Sequence, residues 1–203
     1  MIRSTIALLT SFALIGSAPA APTFSPHLGY SQPTGIAAQT WAAGYTLGLD
    51  YLTGLRVLGT PVVVGADFHR WEPNVGELLD VGGRDFQLEY KRGWNTLTAL
   101  SARLNRHIAE LPLNIGSLNG QAGLGTGYLR NSDVTVKGFA PVGDAALVHL
   151  AYRQGAGSLA PLFVAGISLR LPIHLEPTLQ VQHLLHNDGF TILSAGLNLL
   201  PRQ

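Results

Sequence analysis

The chain has 203 residues, a formal net charge of +1, 12% charged residues and no cysteine. The near-neutral balance excludes a strongly basic nucleic-acid binder, and the lack of cysteine excludes disulfides, thiol catalysis and a cysteine-based zinc centre. An apolar share of 46% with 24 glycines excludes a disordered polyampholyte.

Met1-Ile2-Arg3 is a short positive start, Ser4 to Ile15 is apolar and uncharged, and Ala18-Pro19-Ala20-Ala21 supplies small residues. That order is the three-part pattern of a secretory leader, 1–21, cleaved after Ala20 or Ala21. It leaves 22–203 as a single domain. The apolar run is too short for a helix spanning a bilayer, which needs about 20 residues, and no later run reaches that length. A mature chain resident in a membrane therefore crosses it with strands.

From Trp41 the pattern has period two. Trp41, Ala43, Tyr45, Leu47, Leu49 and Tyr51 share one face, and Ala42, Gly44, Thr46, Gly48 and Asp50 share the other. Ten residues separate Trp41 from Tyr51. Ten residues of strand rise about 33 Å, or about 25 Å along the axis of a barrel whose strands tilt near 40°, the height of an apolar band between aromatic girdles. Val62, Val64, Ala66 and Phe68 alternate with Val63, Gly65, Asp67 and His69. Phe86, Leu88 and Tyr90 alternate with Asp85, Gln87, Glu89 and Lys91.

Asn95–Glu110 admits two readings. Leu97, Leu100, Leu104 and Ile108 would share a helix face. Yet Leu100-Ser101-Ala102-Arg103-Leu104 is similar to Ile167-Ser168-Leu169-Arg170-Leu171, which favours a strand. The strand reading gives about ten strands and the helix reading about eight, both even as closed bacterial barrels require. Further on, Ala146, Val148, Leu150 and Tyr152 alternate with His149 and Arg153, and Phe163 to Leu171 alternates with Val164, Gly166, Ser168 and Arg170. Leu175, Leu179, Val181 and Leu185 alternate with Glu176, Thr178, Gln180 and Gln182, and Leu193 to Leu199 alternates with Ser194, Gly196 and Asn198. Thr53-Gly54, Pro172–His174 and Asn187-Asp188-Gly189 read as short turns, with longer links at 32–38, 72–83, 131–143 and 155–160.

The polar face decides the type of barrel. A soluble barrel turns its polar face to water and carries lysines and glutamates there. Here that face is mostly Gly, Ser, Thr, Gln and Asn, which favours apolar side chains outward to lipid and polar ones inward. The expected lumen-lining residues are Asp50, Asp67, His69, Asp85, Gln87, Glu89, Lys91, Arg153, Arg170, Glu176, Gln180 and Gln182, with charges paired inside. The expected aromatic girdle is Trp41, Tyr51, Phe68, Phe86, Tyr90 and Tyr152.

With the leader, the alternating segments and the Trp41–Tyr51 spacing, the chain resembles small bacterial outer-membrane β-barrel proteins over Phe24–Leu200. The resemblance implies an all-β, up-and-down antiparallel membrane β-barrel of 8–10 strands. It implies export to the outer membrane, the lipid bilayer as partner, a monomer, and a structural or interaction role or a narrow pore.

No catalytic constellation closes in the sequence, no cofactor or metal is implied, and no nucleic-acid partner is expected. Asp67 and His69 fall on one side of a strand and resemble half of the catalytic set of outer-membrane aspartyl-type proteases, but also read as a hydrogen-bonded lumen pair. None of the seven histidines has a serine two positions later, the spacing of outer-membrane lipid A deacylases. His183 and His186 would face opposite sides of a strand, which disfavours a shared metal. Gly123-Leu124-Gly125-Thr126-Gly127 lacks the spacing and lysine of a phosphate loop. Two other readings stay open: an exported soluble lipocalin-like barrel that binds a small apolar ligand, and an outer-membrane hydrolase.

Overall fold

A computed structural model describes residues 23–74, 78–80, 87–132, 134–142, 145–153, 155–186 and 189–200. The leader expected at 1–21 lies outside the described residues, as do Asp85, Phe86, Asn187 and Asp188.

The described elements are β1 (Thr23–Pro33), a short helix α1 (Ile36–Thr40), β2 (Gly44–Val57), β3 (Thr60–Trp71), β4 (Leu78–Asp80), β5 (Gln87–Arg92), β6 (Asn95–Glu110), β7 (Ser117–Asn131), β8 (Val134–Val142), β9 (Ala145–Arg153), β10 (Gly157–Arg170), β11 (Leu175–Leu184) and β12 (Phe190–Leu199). Eight of them close into one barrel in the order β1-β2-β3-β6-β7-β10-β11-β12, and β12 pairs back onto β1. Every neighbouring pair is antiparallel. Closure removes the free edges that an open sheet would present. Among the described residues no helix is long and apolar enough to cross a membrane, a fact that says nothing about strands.

The ambiguous stretch 95–110 is a sixteen-residue strand, yet the barrel has eight strands and not ten. The difference lies in β5 and β9. They carry the expected alternation but pair with β4 and β8 in a separate four-stranded sheet, β4-β5-β8-β9. This sheet grows out of the β3–β6 and β7–β10 links, so Gln87, Glu89, Tyr90, Lys91, Tyr152 and Arg153, expected on barrel strands, lie on strands of this second sheet instead. Alternation reports a half-buried strand but does not report which partner it pairs with.

The β2–β3 hairpin turns at Leu58-Gly59, where both residues have positive φ (50° and 77°), the backbone of a type I′ turn. Thr53-Gly54, expected as the turn, lies within β2 instead. Gly54 takes φ 74° where the register slips between Leu52 and Arg56, a bulge. The Thr53 hydroxyl holds the bulge by donating to the Val62 carbonyl (2.9 Å) and accepting from the Leu55 N–H (3.1 Å). The short links β2–β3, β6–β7 and β10–β11 lie at one end, together with the start of β1 and the end of β12. The α1 link, the two links that build the second sheet and the β11–β12 link lie at the other.

Gly59 occupies a backbone region where a Cβ costs about 1–2 kcal/mol. Gly59→Ala is expected to lower stability by about 1 kcal/mol, read as a lower urea midpoint for the folded barrel.

Candidate functional site

Two surfaces carry information: the wall the barrel shows outward and the lumen it encloses. Outward on β2 stand Tyr45, Leu47, Leu49 and Tyr51, and inward Thr46 and Asp50 are buried. The same parity holds on the other seven barrel strands. Leu47 (51% exposed), Leu100 (55%) and Ile167 (47%) all point out, away from any core. A lipocalin-like barrel needs that face to line a cavity, whereas here it points away from the lumen.

Between Thr96 and Arg106 the outward side chains of β6 are Thr98, Leu100, Ala102 and Leu104, with no charge. On the neighbouring strands Arg70 and Arg130 are level with Thr96. The charged levels at the two ends are thus ten residues apart on β6. That is about 33 Å of strand, or about 25 Å along a tilted barrel axis, the height of a bilayer's apolar band.

The girdle expected from Trp41 and Tyr51 is different in the structure. Trp41 is 8% exposed and packs inside the barrel; it lies on no strand and makes a single bridge to Pro73. The break at Ala42 and Ala43, just before β2 begins, ends the alternation that seemed to carry it. Outward aromatics do cluster at two levels. Phe24 and Tyr51 meet at 4.9 Å toward the short-turn end, and Tyr45 and Phe68 at 6.5 Å toward the other.

The lumen is filled in two layers. Toward the long-link end, Trp41, Trp71, Leu97, Leu129, Leu162, Leu184, Phe190 and Ile192 form an apolar plug. Trp71 anchors it: its ring meets Phe190 at 5.7 Å and its Nε1–H donates to the Ser31 carbonyl (3.2 Å). Below the plug lies a buried polar network. Arg103, 1% exposed, pairs with Asp50 and donates through Nη1 to Gln121 Oε1 (3.2 Å). His27 Nε2 is 2.7 Å from Asp67 Oδ1, and its Nδ1 is 3.9 Å from Asp50. Gln182 donates to Asp67 Oδ2 (3.0 Å), and Ser168 donates to Glu176 Oε1 (2.6 Å). Gly65 makes room for this network, since an added methyl would overlap the Arg103 guanidinium and crowd Asp50 Oδ1 at 2.9 Å.

Asp50, Asp67, His69, Glu176, Gln180 and Gln182 are therefore all inside the barrel, and Arg170 stands at the rim of its short-turn end. His27, Arg103 and Gln121 were not anticipated. His27 lies in a clear alternation, Phe24, Pro26, Leu28 and Tyr30 against Ser25, His27, Gly29 and Ser31, which would have marked it. Arg103 was hidden by the helix-or-strand ambiguity of its segment.

Asp67 and His69 share a side but form no catalytic pair. Asp67 is taken up by His27 and Gln182, while the His69 ring stacks on Trp71 at 5.5 Å and 11°. Neither lines the open end of the lumen. His183 lies 2.7 Å from Thr191 and His186 lies 3.4 Å from Ser158, so the two histidines have separate partners. Among the described residues no cluster of three His, Asp or Glu could hold a metal.

Under the polar network the lumen opens at the short-turn end into a vestibule of about 460 Å³, lined among others by Glu110, Arg170, His174 and Glu176. Above the vestibule lie the polar network and then the plug.

No protein-family model matches the sequence, and no curated protein does. Solved structures do share the fold. A major outer membrane protein from Thermus thermophilus superposes with a TM-score of 0.50 at 14% identity, over 89% of this chain and 99% of its own. The N-terminal β-barrel domain of Pseudomonas aeruginosa OprF matches with a TM-score of 0.45 at 12% identity, over 87% of this chain and 95% of its own. Neisserial surface protein A gives 0.45 at 10% identity, over 90% and 98%. At such identities the likeness is one of fold: this chain is a closed, eight-stranded antiparallel barrel of the kind seen in small outer-membrane proteins.

Replacing Arg103 alone leaves Asp50, buried at the head of the vestibule, with only His27 at 3.9 Å to offset its charge. Arg103→Met is expected to cost about 3–5 kcal/mol, and adding Asp50→Asn should restore part of it. Urea unfolding of the single and double variants in micelles measures both.

Proposed function

We propose that the chain spans the outer membrane as a closed, non-conducting monomeric barrel, reached by export with the leader 1–21. Its role is to hold the β4-β5-β8-β9 sheet at the long-link end, outside the bilayer, as a structural or interaction surface. The observation that carries the reading is the outward wall. Its uncharged band on β6, bounded by Arg70 and Arg130 at one level and Arg106 at the other, has a bilayer's apolar height.

The filled lumen supports the non-conducting part. A pore needs a continuous wet path, whereas here Leu97, Leu162, Leu184 and Ile192 pack against Trp71 across the barrel. Eight strands enclose only enough space for side chains to fill. Nor does the Asp67–His69 spacing support a hydrolase, since Asp67 is committed to His27 and Gln182 and Asp50 to Arg103.

Fractionation tests the placement. The chain should be recovered only with detergent, and the folded form should migrate differently from the boiled form. Recovery as a detergent-free monomer would contradict the proposal. Leu100→Arg, near the middle of the uncharged band, should lower folding stability by about 2–4 kcal/mol in lipid. In planar bilayers the purified protein should give no discrete conductance steps, and reproducible steps would contradict the closed lumen.

A further inference from the structure

The outer wall carries one cluster that neither the fold nor the lumen explains. Arg70 on β3, Thr96 on β6 and Arg130 on β7 are aligned in register across three adjacent strands, all facing outward. Immediately below them in the same register stand Phe68, Thr98 and Tyr128. Trp94, in the link before β6, is shared by both arginines. The Arg70 guanidinium carbon is 5.9 Å from its ring centroid, and that of Arg130 is 5.6 Å.

The Trp94 backbone is pinned on both sides. Its N–H donates to the Ser132 hydroxyl (2.7 Å), and its carbonyl accepts from the Ser132 N–H (2.9 Å). Two guanidiniums are thus gathered about a fixed ring, and together these residues enclose an external pocket of about 290 Å³. Among the described residues no carboxylate forms an ion pair with either arginine, including Glu72, which directly follows β3.

We propose that this pocket binds the headgroup of a lipid ending in a phosphate monoester, in the leaflet at the long-link end. Two positive charges without a counter-ion among the described residues call for an anion. Guanidinium forks match phosphate oxygens pairwise, and stacking on Trp94 holds them in place. The monoester carries up to two negative charges and three free oxygens, enough for both forks. A zwitterionic phosphodiester brings its own ammonium, which the arginines repel. Phe68 and Tyr128 lie on the bilayer side of the cations, where the acyl chains of a seated lipid would run. A free phosphate would leave that apolar floor uncovered.

The inference rests on the outer wall meeting lipid. Its test uses the full chain folded in uncharged maltoside micelles and titrated with phosphatidic acid. Diacylglycerol, phosphatidylcholine and inorganic phosphate serve as separate arms. The readout is tryptophan fluorescence, since Trp41 and Trp71 are buried in the plug and only Trp94 meets the pocket. Phosphatidic acid should give a saturable change, absent in Trp94→Phe and weakened about tenfold or more in Arg70→Gln/Arg130→Gln. Arg70→Lys/Arg130→Lys keeps the charge but loses the forks, and should fall between the two.

An equal response to diacylglycerol or phosphatidylcholine, or an unchanged affinity in the glutamine variant, would overturn the inference while leaving the membrane placement intact. Inorganic phosphate competing at the concentrations at which phosphatidic acid binds would do the same, since the site would then hold a free anion. A chain that folds as a monomer without detergent would overturn both.

Discussion

Burying Arg103 together with Asp50 and Asp67 inside a closed barrel is the constraint around which this structure is arranged. A lone ion there would cost several kcal/mol. The charges are therefore placed so that each finds an opposite or hydrogen-bonding partner from a different strand: His27 from β1, Asp50 from β2, Asp67 from β3, Arg103 from β6, Gln121 from β7 and Gln182 from β11. A register slip of one residue on any of these strands would turn its contribution to the outer wall. The network thus fixes which face of each strand looks inward, and by the same parity it fixes the apolar wall.

The wall and the lumen are two consequences of one alternation. Between the charged levels, outward positions hold mostly Leu, Val, Phe, Tyr and small residues. Inward positions of the lower lumen hold Ser, Thr, Asn, Gln and charges, and neighbouring strands supply partners for Asp50, Asp67, Arg103 and Glu176. The departure is the upper lumen, where Trp71, Leu97, Leu162 and Ile192 point inward and pack as an ordinary protein core. Polar filling below and apolar filling above lie over the vestibule at the short-turn end.

Parity within the strands was legible in the sequence. Thr46–Tyr51, Val62–His69, Phe163–Arg170 and Leu193–Leu199 face as their alternation implies, because a period of two leaves only two assignments. What lay beyond it is pairing between distant segments. The runs now seen as β5 and β9 alternate like barrel strands yet pair in a second sheet, and no local pattern encodes that choice. Trp41 continued the apolar spacing of β2 across a break, and apolar spacing alone does not separate a lipid-facing ring from one in a dry plug. The pairing of His27 with Asp67 and of Arg103 with Asp50 spans 40 and 53 residues, and became visible only once the barrel closed.

The claim on which the rest turns is that hydrocarbon bathes the face carrying Leu100, while Ser101, its neighbour, is shut inside. The absence of native cysteine makes it directly measurable. Spin labels at Leu100→Cys and Ser101→Cys, in protein reconstituted in lipid vesicles, would be relaxed by oxygen and by a water-soluble nickel complex. The account predicts strong oxygen and negligible nickel access at 100, with little of either at 101. Ready access of nickel at 100 would contradict it.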